Sequence, residues 1–220
     1  MIIALPAPSS RLHDPIAGLS ATFLPEVTQQ HPRSLLRHWN GNSIVFCRGF
    51  DVPRLVAMGI VDLGITGYDV CVEFSLAYNQ KLIMRSMPAA RTSFVSYCTV
   101  SGRNVQRIYT EYPAIAQAWL AARVDASPCD IVHLRGATEG IIRADPHGAG
   151  VLLVTSGTTL QANGLDLDVP LMATDVCAVA RTTEPIERAF GPEVLPELEM
   201  PSFCAQAPAS AGKRGSAGGD

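Results

Sequence analysis

Short apolar runs alternate along the chain with segments that suit helices. This alternation is typical of α/β proteins, in which helices cover a sheet of buried strands. The runs that predict strands are 1–6, 44–47, 61–66, 93–100, 131–134, 151–154 and 172–180, with a short extended piece at 107–110. The helices predicted between them are 15–23, 52–58, 69–78, 113–122, 136–142, 160–162 and 184–190.

Proline, glycine and aspartate mark where several of these elements begin and end. Asp51 followed by Pro53 is typical of a helix N-terminus, and Gly59 is typical of the end of that helix. The segment 144–150 contains a proline and two glycines and predicts a break before the next strand. The segment 205–220 is rich in Ala, Gly and Ser, a composition that predicts a disordered tail.

Composition and charge limit the class of protein. The chain has 220 residues, of which 47% are hydrophobic, enough for a substantial core. A net charge of −3 and a pI near 5.9 give no reason to expect nucleic acid or an anionic membrane as a partner. No apolar run approaches the roughly 20 residues that span a bilayer, and the N-terminus lacks a basic secretion signal. The sequence therefore predicts a cytoplasmic location.

The cysteines and histidines do not form a recognisable metal or disulfide pattern. The cysteines are scattered, without a C-x-x-C pair, and the histidines show no H-E-x-x-H motif. Buried free thiols are favoured over a disulfide or a metal role, and no metal ligands are predicted. The six cysteines are Cys47, Cys71, Cys98, Cys129, Cys177 and Cys204.

A loop of small hydroxyl residues follows the predicted strand 151–154. Its residues are Thr155, Ser156, Gly157, Thr158 and Thr159. Glycine lets the backbone approach a ligand closely, and free N–H groups at a helix start favour an anion such as phosphate. The alternative is an ordinary strand-to-helix turn with hydroxyl caps.

A second group of candidates lies around two earlier strands. Glycines after an apolar strand commonly open a ligand cleft at the strand's carboxyl end, and Gly64 and Gly67 are so placed. In the structural alternative they are turn residues and Asp51 is a helix cap. Arg48 is either a surface charge or a phosphate clamp.

Glu139 falls in the first turn of a predicted helix. A glutamate there most often compensates the helix dipole, and a catalytic or ribose-binding role is the less common one.

Taken in order, several segments resemble the short form of the ATP phosphoribosyltransferase catalytic subunit, the enzyme that opens histidine biosynthesis. The similarity extends from Ile2 to about Arg181. The segments that carry it are 3–6, 51–53, 59–69 with Glu73, 107–113, 136–139 and 156–165.

The resemblance implies two α/β lobes of the periplasmic-binding-protein type, with the active site in the cleft between them. The first lobe is expected at 1–88 and the second, with the phosphate loop, at 89–168. The chain is then expected to return to the first lobe at 169–204, before the tail at 205–220.

The resemblance also implies substrates and partners. Phosphoribosyl pyrophosphate (PRPP) is expected on the loop 155–159, with ATP as acceptor, Mg²⁺ as cofactor, a homo-oligomeric state and a separate regulatory subunit. Glu139 and Arg48 are the expected catalytic residues, as ribose or metal partner and pyrophosphate ligand. The residues expected in the cleft or at the nucleotide are Arg11, Asp51, Gly67 and Asp69.

The chain departs from the family pattern at charged positions. The family's first strand leads into a Lys-Gly-Arg triplet, whereas only Arg11 is available here. Positions that are acidic in the family fall on Gly148 and Leu152, and Asp145 is the acid considered as a substitute. Three functions stay open: a working transferase, a paralogue recruited to another reaction in specialised metabolism, and a non-catalytic ligand-binding or regulatory subunit.

Overall fold

The computed structural model describes residues 1–7, 34–39, 41–87, 93–123, 127–191 and 195–203. The strands are β1 (Ile2–Pro6), β2 (Leu36–Trp39), β3 (Asn42–Cys47), β4 (Leu63–Gly67), β5 (Ile83–Ser86), β6 (Ser93–Thr99), β7 (Arg107–Thr110), β8 (Asp130–His133), β9 (Gly148–Val154), β10 (Asp166–Thr174) and β11 (Val176–Ala180). The helices are α1 (Val52–Ala57), α2 (Tyr68–Tyr78), α3 (Pro113–Ala121), α4 (Thr138–Ala144), α5 (Thr158–Ala162) and α6 (Glu184–Phe190), and a 3₁₀ turn at Gly49–Asp51 precedes α1.

The strands form two sheets, each of which is the centre of one lobe. The first sheet has the order β2-β3-β1-β4-β11-β5, and its strands β3, β1 and β4 are parallel. The second has the order β10-β6-β9-β7-β8, with β9, β7 and β8 parallel. The chain builds the first sheet up to β5, then the second, and returns with β11. The prediction of an α/β fold in two lobes is confirmed.

Several predicted elements need correction. Strands β2 and β5 were missed, and the single strand predicted at 172–180 is two strands, β10 and β11, in different sheets. Strand β10 runs across the predicted limit at 168/169, and the chain re-enters the first sheet only at Val176. The lobe limits given above, 1–88, 89–168 and 169–204, remain predictions. Arg11, the helix predicted at 15–23 and the tail at 205–220 lie outside the described residues.

The break predicted at 144–150 is wrong in its second half, because β9 begins at Gly148. The reason is packing. A Cβ atom on Gly150 would lie 2.4 Å from Cδ1 of Ile142 in α4, so glycine at this position lets the helix approach the strand closely.

The apolar core continues from one lobe into the other. One cluster of buried side chains includes Val72 from α2 and Ile115 from α3, one helix from each lobe. Separate clusters fill the outer faces, with Ile186 of α6 on the first sheet and Ile142 of α4 on the second. The lobes therefore meet through packed helices, chiefly α2 and α3.

We expect Gly64→Ala to lower the free energy of unfolding by about 1–3 kcal/mol, because overpacking a buried site strains it. A Cβ atom there would lie 2.4 Å from Cγ1 of Val52 and 2.9 Å from Cγ1 of Val179. Gly140→Ala is the control. A Cβ atom at this position would have no atom from outside its own helix within 4 Å, and α4 continues through it. This substitution should raise stability by about 0.5–1 kcal/mol. Urea denaturation of both variants measures the difference, and equal shifts would contradict the packing account.

Candidate functional site

The candidate residues lie mostly where parallel strands end. In open α/β sheets, ligands bind beside the carboxyl ends of parallel strands. In the first sheet, Arg48 follows β3 and Asp69 lies just after β4. In the second sheet, Glu111 follows β7, Glu139 follows β8, and the hydroxyl loop follows β9.

A cavity of about 220 Å³ lies at this edge of the second sheet. Its lining comprises Glu111, Tyr112, Gly136, Ala137, Thr138, Glu139, Val151, Leu152 and Leu153. Two carboxylates therefore share a cavity with the end of β9. Such a combination can accept hydrogen bonds from hydroxyl groups and stabilise positive charge.

The turn before α4 has a conformation that few residues adopt. Gly136 has φ of +78° and Ala137 has φ of +52°, so both are left-handed. For an alanine this conformation costs about 1–2 kcal/mol. The backbone N–H of Gly136 donates to Oε1 of Glu111 at 2.9 Å, a contact that holds the turn against the end of β7. This turn places Glu139 in the first turn of α4 at the cavity.

The predicted phosphate loop follows β9 on the same edge but is not part of the cavity lining. Gly157 has φ of +74°, and no atom lies within 4 Å of the place where its Cβ would be. The hydroxyl of Thr155 lies 2.8 Å from that of Ser93, and those of Ser156 and Thr158 lie 3.0 Å apart. The threonines and the serine of this loop are exposed.

The first-lobe candidates also lie outside the cavity lining. Arg48 and Asp51 are exposed; Arg48 precedes the 3₁₀ turn and Asp51 is its last residue. Asp51 occupies the N-cap position of α1, but its side chain makes no capping hydrogen bond. Gly67 ends β4 with φ of −73°, so it is not there for a left-handed turn.

Asp69 lies between the lobes and is only 3% exposed. Its Oδ2 accepts a hydrogen bond from the hydroxyl of Tyr112 at 2.6 Å, and its Oδ1 accepts one from Thr174 at 2.9 Å. The backbone N–H of Asp69 donates to the same threonine oxygen at 2.8 Å. Both partners belong to the second lobe. The carboxylate predicted to contact a nucleotide therefore binds protein groups.

Glu73, to which sequence reasoning gave no role, is a second contact between the lobes. Its two carboxylate oxygens accept the backbone N–H groups of Ala114 and Ile115 at the start of α3, both at 2.9 Å. Burial raises the pKa of Glu73 above its ordinary value, although these two donors favour the charged form. The sequence signal that could have indicated this contact is the spacing of Glu73 from Asp69, because residues four apart lie on one face of a helix.

Asp145 does not substitute for the acid missing at Leu152. It precedes β9, whereas the phosphate loop follows this seven-residue strand, on the order of 20 Å away. Its carboxylate accepts two hydrogen bonds from the guanidinium of Arg107, at 2.7 and 2.8 Å, and a third from the hydroxyl of Tyr109. The Arg107 guanidinium and the backbone N–H of His147 hold the pKa of Asp145 well below its usual range.

Leu152 itself is 6% exposed and belongs to an apolar cluster with Ile142, Leu160 and Leu165.

Among the described residues, no group of three or more His, Cys, Asp or Glu side chains is arranged to hold a metal ion. Nor does any helix in the described ranges have the length and apolar character needed to cross a membrane. Within these ranges Cys71, Cys98 and Cys177 are buried free thiols, and Cys47 and Cys129 are partly buried.

Two α/β lobes with candidate ligand groups at the ends of parallel strands define a protein of the periplasmic-binding-protein type. The family model described as HisG: ATP phosphoribosyltransferase matches residues 48–194. The chain is 32% identical over 188 residues to the ATP phosphoribosyltransferase of Deinococcus deserti, covering 84% of this chain and 86% of that protein. It is 31% identical over 149 residues to that of Staphylococcus aureus, covering 67% and 70%. The chain belongs to the ATP phosphoribosyltransferase family.

A solved structure supports the fold assignment. The ATP phosphoribosyl transferase (HisG:HisZ) complex from Thermotoga maritima contains a chain that superposes with a TM-score of 0.70 at 23% identity. The match covers 86% of this chain and 91% of that one. The two-lobe arrangement predicted from the resemblance is thereby confirmed.

We expect the stabilising effect of Glu73 to depend on pH. Because its pKa is raised in the folded state, its contribution is greatest below the ordinary carboxyl pKa, 4.5, and is lost as pH rises through the folded value. Glu73→Gln cannot titrate, so the difference in unfolding free energy, wild type minus variant, should fall as pH rises from 4. Urea denaturation between pH 4 and 8 measures this difference. A difference that grew with pH would show that the two N–H donors outweigh burial.

Proposed function

We propose that this protein transfers the phosphoribosyl group of PRPP to N1 of ATP and releases pyrophosphate, the first step of histidine biosynthesis. Family membership supports the reaction class. The observation that carries the proposal is that the glycine-containing hydroxyl loop and the Glu139 cavity lie on one edge of the second sheet. A phosphate and the ribose attached to it need such adjacent sites.

The residues take roles that follow from the charge of the reaction. Phosphoribosyl transfer passes through a cationic ribosyl centre while pyrophosphate departs, so carboxylates are needed near the ribose and cations near the pyrophosphate. Glu139 and Glu111 are the carboxylates of the cavity. Backbone N–H groups and hydroxyls of 155–159 would hold the 5-phosphate. Arg48, exposed at the end of β3, and Arg11 would bind pyrophosphate.

Mg²⁺ would come with the substrate. This ion usually keeps several waters and binds through one or two carboxylates together with substrate phosphates. The cavity fits that mode, because Glu111 and Glu139 supply carboxylate oxygens without forming a complete protein cage. When bound, the ion would neutralise charge on the pyrophosphate.

A regulatory partner and a cytoplasmic location belong to the same proposal. The Thermotoga structure is a HisG:HisZ complex, and this similarity supports a separate partner subunit for the present chain. We propose that the chain itself forms a homo-oligomer. Activity should therefore be assayed both without and with a candidate regulatory subunit.

A second candidate is a paralogue recruited to another reaction. Leu152, in the cavity lining, has an apolar side chain packed into a core cluster where the family resemblance implies an acid, and Asp145 is bound to Arg107 at the opposite edge. A changed acceptor substrate accounts for both features. Chromatographic detection of phosphoribosyl-ATP, with and without the partner subunit, separates the candidates. PRPP binding without this product would favour the paralogue or a ligand-binding subunit.

We expect Gly157→Glu to weaken PRPP binding in the presence of Mg²⁺ by about tenfold or more, a loss of about 1.4 kcal/mol. The substitution adds a negative charge and a side chain at a left-handed position of the loop. Gly102→Glu is the matched control. Gly102 has φ of +81° and open space, and it lies beyond the end of β6 where Cys98 pairs with Gly150, away from the loop. Calorimetric titration measures both affinities. Equal losses in the two variants would argue against phosphate binding here.

We expect Glu139→Gln to lower kcat by about 100-fold while changing the thermal midpoint little, because it removes a charge but keeps the shape. Glu184→Gln is the control, since Glu184 is an exposed glutamate in the first turn of α6. Steady-state kinetics of phosphoribosyl-ATP formation measures the effect. An unchanged kcat in Glu139→Gln would mean that Glu139 only compensates the helix dipole.

A further inference from the structure

The segment that joins β7 to α3 has two functions at once, because it lines the cavity and also holds the first lobe. Tyr112 is 1% exposed and lies in the cavity lining. Its hydroxyl donates to Oδ2 of Asp69 at 2.6 Å. Its ring packs against that of Phe50, with centroids 5.7 Å apart. Both of these contacts are with the first lobe, one with α2 and one with the turn between Arg48 and Asp51.

The backbone of the same segment is tied to the cavity wall. The hydroxyl of Thr110 accepts the backbone N–H of Tyr112 at 2.8 Å and donates to the carbonyl of Val151 at 2.6 Å. Val151 is itself part of the lining. A displacement of Tyr112 would therefore also shift Thr110 and, through it, Val151 in β9.

The neighbouring residue connects the segment to the strained turn. Glu111 accepts the N–H of Gly136, which begins the left-handed pair before α4. A left-handed alanine persists only where its surroundings hold it in place. The position of Glu139 thus depends on Glu111, which in turn is adjacent to Tyr112.

We infer that Asp69 is a positioning residue that acts through Tyr112, so that the first lobe sets the wall of the second-lobe cavity. Its carboxylate fixes the Tyr112 hydroxyl, and Tyr112 and Glu111 together fix the turn that carries Glu139. In this arrangement Asp69 contacts no substrate. Where the inference concerns PRPP it rests on the proposed function, so the test includes a measurement made without ligand.

The variant Tyr112→Phe removes one hydroxyl and leaves the ring contact with Phe50. The matched control is Tyr68→Phe, which removes a hydroxyl from another largely buried tyrosine, one whose donor bond goes to the carbonyl of Glu199. Tyr68 lies on the same helix as Asp69 but is absent from the cavity lining. The two variants thus separate a lost buried hydrogen bond in general from a loss at this position.

The ligand-free measurement is hydrogen–deuterium exchange of the segment 134–142 in the full chain. We expect roughly tenfold faster exchange in Tyr112→Phe, the size expected for a lost hydrogen bond to a charged group, and no change in Tyr68→Phe. Unchanged exchange in Tyr112→Phe, or equal acceleration in both variants, would overturn the inference. This result does not depend on PRPP binding, so it remains decisive if the proposed function fails.

The second measurement is the affinity for PRPP with Mg²⁺ in a double-mutant cycle of Asp69→Asn and Tyr112→Phe. If Asp69 acts through Tyr112, each variant weakens binding by about tenfold and the double variant is no worse than the single ones. Additive losses would show that Asp69 affects the cavity by another route. Thermal midpoints of all variants separate a loss of affinity from a loss of fold.

Discussion

Helix α2 presents two buried carboxylates, Asp69 and Glu73, to the second lobe. An unpaired buried charge costs several kcal/mol, yet among the described residues neither carboxylate forms an ion pair with a cationic side chain. Asp69 is stabilised by two hydroxyl donors, and Glu73 by two backbone N–H groups at the positive end of α3. These donors come from the second lobe, so the protein supplies them to the two carboxylates only when the lobes are in this arrangement. The contacts therefore favour one relative position of the lobes.

The position of the cavity follows from that contact. Tyr112 precedes α3, whose first N–H groups bind Glu73, and it also donates to Asp69. Three hydrogen bonds, donated by Tyr112, Ala114 and Ile115, thus fix the entry into α3 from the side of the first lobe. Because β7 ends immediately before this entry, Glu111 is directed at the turn that leads to α4. The cavity is formed by second-lobe residues, but the first lobe determines where one of its walls lies.

The sequence predicts the elements better than the contacts between them. Strand β1 and helices α2, α3 and α6 were predicted within about one residue, since apolar periodicity and proline or glycine boundaries coincide there. The start of β9 was not predicted correctly. A glycine such as Gly150 indicates a break in a strand, and only its close contact with Ile142 explains why the strand needs glycine there. The loop 155–159 was singled out because it follows a strand directly, and Glu139 because it lies in the first turn of a helix; their functional roles stay predictions. The role of Asp69 depends on Tyr112 and Thr174, which lie 43 and 105 residues away along the chain, a pairing that no local pattern contains.

The altered position on β9 has a physical consequence for the chemistry. Leu152 packs among Ile142, Leu160 and Leu165, so an acid placed there alone would bury a charge in apolar surroundings. Ser96, its neighbour in register on β6, has a buried hydroxyl with no hydrogen-bond partner among the described residues. A single hydroxyl is too little to satisfy a carboxylate. The surrounding cluster has therefore adapted to leucine. In the proposed reaction, Glu111 and Glu139, the two carboxylates in the cavity lining, would therefore stabilise the cationic ribosyl centre.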